Sequence, residues 1–336
     1  LFSGGMMKNR TFFFKNQPRV VATATIGGPK EGAGPVGKCI DTVVQDDYYG
    51  EKTFEKAERK MLTHAITHAI KKAHMNEDDI GAVVAGDLLN QIISSSYACR
   101  EFNIPFLGVY NACSTMSEAF VIGGMMVDGG YCENVLCATG SHFSSAERQY
   151  RYPLELGSTR PPQAQWTVTG AGAAVLSSKG RGPKLVGATL GKVVDFGITD
   201  ANNMGAAMAP AAADTLYTHF MNCSLKPGDY DLVVTGDLGA FGSRIFKDLM
   251  WEKGFDISER HVDCGELIYN IVEDEFQGGS GAGCSAIVFN GYLYKKLCNK
   301  EYKRIILLAT GALLSSVSSQ QGESIPSIAH AAVFES

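Results

Sequence analysis

The chain has 336 residues, 45% of them apolar, enough to bury one large core or two moderate ones. Its net charge of −5, with no run of Lys or Arg interleaved with aromatics, argues against a nucleic-acid-binding face. Nine cysteines, an odd number with no CxxC pair, argue against a disulfide or zinc framework.

Near the start of the chain three phenylalanines (12–14) are flanked by charge on both sides, too short a run for a signal-peptide core. Residues 1–5, ahead of Met6-Met7, are expected to lie outside the fold. Residues 54–73 carry Ala57, Met61, Leu62, Ala65, Ile66, Ala69 and Ile70 at helical spacing. His64 and His68 stand four apart on this helix. No third ligand accompanies them, so packed or solvated histidines are expected rather than a metal pair. An acidic turn leads into the buried strand of "GAVVAGDLLN" (81–90).

Next comes "VYNACSTMSEAFVIGGMM" (109–126), which sets Cys113 among small residues at the opening of a buried helix. The strand of "NVLCATGS" (134–141) leads into a loop where Arg148, Arg151 and Arg160 alternate with Tyr150, Tyr152 and Trp166. Ligands gather at the carboxyl ends of strands in open α/β sheets, and Arg offers forked donors to carboxylates. The same composition suits a subunit interface, and both readings stand. The strand of "TVTGAGAAVLSS" (167–178) follows, its glycines too few for a dinucleotide fingerprint.

The second part of the chain echoes the first. A helix over 206–220 precedes "YDLVVTGDLGA" (230–240), in which Gly236-Asp237-Leu238 answers Gly86-Asp87-Leu88. "RIILLATGAL" (304–313) sets Thr310-Gly311 against Thr139-Gly140, and the same offset lays Cys284-Ser285 on Cys113-Ser114. Strands alternating with helices imply right-handed βαβ units and a mostly parallel sheet. No stretch reaches the roughly 20 apolar residues of a membrane-spanning helix, since the runs at 119–127 and 305–314 are short and interrupted by Gly.

The duplication, the cysteine at a helix start and "TVTGAGAAVLSS" resemble the thiolase superfamily. The resemblance implies two βαβ halves, 6–183 and 184–336, stacked as a five-layer αβαβα sandwich. Three further segments narrow it: "GDLLNQIISSSYACREFNIPFLGVYNACSTMSEAF", "ATGSHFSSAERQYRYPLELGSTRPPQAQWTVTGAGAAV" and "QQGESIPSIAHA". These resemble the stage V sporulation protein AD family of endospore formers from about Arg19 to Phe334.

In the thiolase fold the nucleophilic cysteine sits at a helix N-terminus, and a His with an Asn or second His from the other half supplies base and oxyanion donor. Here "VTGDLGAF" puts Gly236 at the His position and "QGGSGAGCS" puts Gly279 at the second. Glycine can neither take a proton nor place a side-chain donor, so Cys113 reads as a remnant and the chain as a non-catalytic binder. The alternative is an acyltransferase or condensing enzyme whose base is His142 or His330.

The family implies dipicolinic acid as ligand, free or as its calcium chelate, and no cofactor. It implies a homodimer, other stage V sporulation A membrane-complex proteins as partners, and a peripheral place at the forespore or spore inner membrane. The expected site gathers Asp87, Asn90, Gln91, Asn111, His142, Arg148, Arg151 and Arg160 around Cys113. His330, in the polar loop of the second half, is a displaced base or a structural histidine.

Overall fold

The computed structural model describes residues 10–150, 160–270 and 277–336. The first half supplies strands β1 (Thr11–Phe13), β2 (Arg19–Gly27), β3 (Thr42–Val43), β4 (Ala82–Gly86), β5 (Phe106–Gly108), β6 (Asn134–Ser141), β7 (Trp166–Thr167) and β8 (Gly170–Ser177). The second supplies β9 (Lys184–Thr189), β10 (Leu232–Thr235), β11 (His261–Asp263), β12 (Gly279–Ser280), β13 (Arg304–Ala312) and β14 (Ser327–Glu335).

The repeat seen in the sequence is a repeat of topology. One run of strands is ordered β5-β4-β6-β8-β2 and the other β11-β10-β13-β14-β9. A single residue pair, Arg19 opposite Lys184, links β2 to β9. In the first run β4 is parallel to β5 and β6, whereas β8 is antiparallel to β6 and β2. In the second, β10 is parallel to β11 and β13, whereas β14 is antiparallel to β13 and β9. The expected mostly parallel sheet is thus corrected. β8 and β14 return beside their neighbours without the crossover that a parallel pair requires.

Helices cover these strands on both faces. The helix α1 (Pro29–Ala33) follows β2, and α2 (Phe54–Lys72) packs on β2 and β8. Thr53 caps α2 by accepting from the Lys56 N–H, and the buried face is the predicted one from Ala57 to Ile70. Beside it lies α3 (Ile93–Cys99). Between the two runs sit α4 (Thr115–Asp128), which touches β6, β13 and β14, and, after α5 (Phe143–Tyr150), α6 (Met204–Cys223), α7 (Gly239–Glu252) and α8 (Cys264–Ile268), the helix α9 (Ala282–Ile287), which touches β6 and β8. The outer face of β13 and β14 is covered by α6, with α7 packed on α6.

Helix, sheet, helix, sheet, helix is the five-layer order. Its middle layer is locked by Phe120 of α4, Phe289 and Phe334 of β14. All three are fully buried, with ring centroids 4.4–5.1 Å apart in edge and tilted contacts.

Candidate functional site at Cys113

The loops at the carboxyl ends of β4, β6, β10 and β13 converge on one spot, and Cys113 stands there. Just before it Ala112 adopts φ 49°, a left-handed backbone unusual for a residue with a side chain, so the chain turns sharply into α4. The turn is pinned to the second half: the Ser114 hydroxyl donates to the Ala309 carbonyl at 2.7 Å, and the Ala309 N–H donates to Ser117 Oγ at 3.0 Å. Both partners belong to β13, so the inner helix of one half is tied to the central strand of the other.

A small cavity opens above this turn. Cys113 shares its lining with Leu88, Tyr110, Tyr150, Met204 and Leu314, together with Glu147. Among the described residues none of the lining side chains is cationic. The Tyr110 and Tyr150 hydroxyls lie 3.2 Å apart, and Tyr150 also donates to the Leu88 carbonyl. A second cleft shares Tyr110, Tyr150 and Leu314 with the cavity and forms its mouth, with Asn90 and Gln91 on its wall.

Beneath the cysteine lies a carboxyl group. Asp237, 1% exposed, is hydrogen-bonded to Cys113, accepts from Thr310 Oγ1 at 2.6 Å and lies 3.4 Å from the Gly281 N–H. Burial pushes it up to about 6, against the lowering effect of those bonds. The loop that carries it is set by Asp263, whose carboxylate accepts from the Leu238, Gly239 and Gly265 N–H groups at 2.9–3.0 Å. Gln165 braces the same loop by donating to the Asp237 carbonyl. The partner the structure gives the Cys113 thiol here is a carboxyl group rather than an imidazole, and a carboxyl group does not hold a thiolate as an ion pair.

Gly236 and Gly279, which the resemblance implies stand at the base and donor positions, have no room for more than hydrogen. A Cβ on Gly236 would stand 2.8 Å from Ala309 Cα, and one on Gly279 would stand 2.7 Å from Ile268 Cγ2. The space beside them is filled by β13 and by α8.

The remaining expected site residues divide. Asp87, the counterpart of Asp237, is fully buried and accepts from the Leu89 and Ser95 N–H groups, so it holds its own loop rather than facing the cavity. Asn90 is bonded to Gln149 at the mouth. Asn111 pairs with His330 Nε2 at 3.1 Å. The Gly191 N–H donates to His330 Nδ1, and burial pushes this ring down to about 4. His142 accepts the Ser144 N–H at Nδ1 and therefore donates from Nε2 to the Asp47 carbonyl at 2.8 Å. Burial lowers its pKa as well, and neither histidine lines the cavity.

The structure does not bring Arg148 and Arg160 to the cavity. Arg148 stands 3.5 Å from Glu55 and over the Phe54 ring, while Arg160 lies over Trp166 and donates to the Gln165 carbonyl. Their partners on α2 and beside β7 draw them away. Arg151 lies outside the described residues. His64 is bonded to the Tyr49 hydroxyl at 2.7 Å, and among the described residues no three His, Cys, Asp or Glu side chains are grouped to hold a metal.

Sequence reasoning passed over Tyr110, Glu147 and the Cys113 contact of Asp237. The one signal for Asp237 was its place in the repeated Gly-Asp-Leu.

Comparison with solved structures shows the fold. The chain is similar to 3-oxoacyl-[acyl-carrier-protein] synthase III from Aquifex aeolicus (TM-score 0.57, 13% identity, 95% of this chain and 100% of the other). It is also similar to OleA from Xanthomonas campestris (TM-score 0.61, 15% identity, 96% and 98%) and to the tetronic acid condensing enzyme AbyA1 (TM-score 0.62, 14% identity, 95% and 100%). In sequence it is 44% identical over 326 residues to stage V sporulation protein AD of Bacillus subtilis (strain 168), covering 97% of this chain and 96% of that protein. With residues 8–335 matching the model of that family, this chain belongs to the stage V sporulation protein AD family, built on a thiolase-like fold.

Proposed function

We propose that the chain is a binding protein without turnover, which takes dipicolinic acid, free or as its calcium chelate, into the Cys113 cavity. It would act as the peripheral member of the sporulation membrane complex that moves this compound at the forespore inner membrane. Among the described residues no helix is long and apolar enough to cross a membrane, so contact with that complex would be made from its surface.

The observation that carries the reading is the state of the catalytic positions. The cavity and its cysteine persist while Gly236 and Gly279 are walled in and the thiol is hydrogen-bonded to Asp237. A flat pyridine ring suits a cavity walled by Tyr110, Tyr150, Leu88 and Leu314. Asn90 and Gln91 would meet the ligand at the mouth. Two carboxylates leaving water need charge-assisted partners. Of the arginine loop, Arg151 is the one we keep in the proposed site.

Calorimetry with dipicolinate and, in parallel, with acetyl-CoA tests this. Saturable heat with dipicolinate, lost in Cys113→Trp, is the expected result, with no heat and no mass gain from acetyl-CoA. A mass increase on Cys113 with acetyl-CoA, abolished by Cys113→Ala, would establish the acyltransferase reading instead.

A further inference from the structure

At the end of the fold opposite Cys113, a groove runs between the hairpin that joins β8 to β9 and the helix α10 (Tyr294–Cys298). Ser177, where β8 ends, pairs with Asn134 at the start of β6 and with Arg19 at the start of β2, whereas Cys113 stands beyond the carboxyl ends of β4 and β6. Three cationic side chains line the groove, Arg19, Arg181 and Lys300, in a chain whose net charge is −5. Tyr294 and Leu297 of α10 form its apolar wall.

The backbone places each cation. The Arg19 guanidinium donates to the Gly182 carbonyl at 3.2 Å, which ties it to the hairpin. Arg181 stands between Gly180 and Gly182, whose φ of 98° and 150° turn the chain. A Cβ on Gly182 would run into the Val20 carbonyl, so only glycine lets the hairpin close on β2. Lys300 follows α10 at φ 60°, and its N–H closes the last turn on the Leu297 carbonyl at 3.0 Å. Three carboxylates border this end of the fold, and each holds another cation: Glu133 holds Lys179, Glu301 holds Lys296 and Glu335 holds Arg304. Among the described residues none of the three groove cations is in an ion pair.

We propose that this groove binds the phosphate group of a ligand, carried either by a free phosphate compound or by an anionic phospholipid headgroup. Arg offers forked N–H donors that match phosphate oxygens, and the Lys300 ammonium adds a point charge from the α10 side. Neighbouring cations repel one another until an anion lies between them, which favours a compact group of high negative charge. The wall of Tyr294 and Leu297 accommodates the carbon skeleton that bears the phosphate. The groove shares no residue with the Cys113 cavity, so the proposal is independent of the dipicolinate reading.

The test uses the full chain in two arms. One is calorimetry with inorganic phosphate. The other is flotation with vesicles of phosphatidylglycerol and phosphatidylcholine in equal parts, with pure phosphatidylcholine as reference. The expected result is saturable binding in at least one arm, weakened by added salt and weakened about ten- to hundredfold in Arg181→Glu and in Lys300→Glu. Both side chains are exposed, and if one variant does not fold the other decides. Binding in the phosphate arm assigns a free phosphate compound, and binding confined to the mixed vesicles assigns a lipid headgroup. Lys52→Glu, an exposed charge change ahead of α2 and outside the groove, should leave both arms unchanged. Binding in neither arm would overturn the proposal. So would binding that survives both groove variants, or a loss in Lys52→Glu as large as theirs, which would make the attraction one of general surface charge.

Discussion

Replacing Gly236 by Ala measures how little room β13 leaves at the end of β10. Gly236 follows β10 with an ordinary negative φ, so a side chain there meets no backbone strain and the whole effect is packing. The added Cβ would lie 2.8 Å from Ala309 Cα and 3.2 Å from both Ala309 Cβ and Thr310 N. These atoms belong to β13, paired on one side with β10 and on the other with β14, so the obstacle is backbone that cannot swing away.

Inserting a methyl into a close-packed core costs about 1–3 kcal/mol, and an unyielding neighbour puts this site at the upper end, about 2–3 kcal/mol. Gly228→Ala is the control, an exposed position where an added Cβ meets nothing within 4 Å, and its effect should stay within about 0.5 kcal/mol. Urea unfolding followed by far-ultraviolet circular dichroism compares the two. If Gly236→Ala unfolds at the same urea concentration as Gly228→Ala, the position is open, and the argument that a base cannot return there fails. If the position is closed, Gly236→His with Gly279→Asn will yield a less stable protein and no acyl transfer.

Two other outcomes are expected. Glu31, buried at the junction of α1 with Thr169 and Tyr269, is pushed up to about 7 by burial, against an ordinary value of 4.5. The folded state thus holds a proton that the unfolded state releases, and stability present below pH 4.5 is lost as pH rises through 7, by about 3 kcal/mol in all. Between pH 5 and 8 the unfolding free energy of Glu31→Gln should therefore gain by about that amount on the parent, and a constant difference would contradict the assignment.

We also predict a dimer formed along β5, which ends its run of strands with β4 as its one neighbour among the described residues and leaves Leu107 45% exposed. Sedimentation at micromolar concentration should show two copies, and Leu107→Lys should shift the population toward one. A parent protein that sediments as a monomer would refute this.

Much of the architecture was legible in the sequence because it rests on local periodicity. The apolar face of α2 from Ala57 to Ile70 and the β-branched runs of β4, β10 and β13 state their burial in their own spacing. The repeated Gly-Asp-Leu and Thr-Gly pairs mark the duplication, since equivalent turns need equivalent residues. Strand direction was not legible: β8 reads as a buried strand whether it runs with β6 or against it.

The site divided for the same reason. Sequence could name polar residues near Cys113 in the chain but not the partners that would claim them. Arg148 turns to Glu55, His142 to the Asp47 carbonyl and Asp87 to the amides of its own loop. The residue that does reach Cys113, Asp237, is held by Thr310 within the other half and meets the thiol across the seam where the halves meet. Each half determines its own strands and helices through short-range spacing. The chemistry at Cys113 depends on which side chains of one half are desolvated against the other, and only the packed tertiary structure decides that.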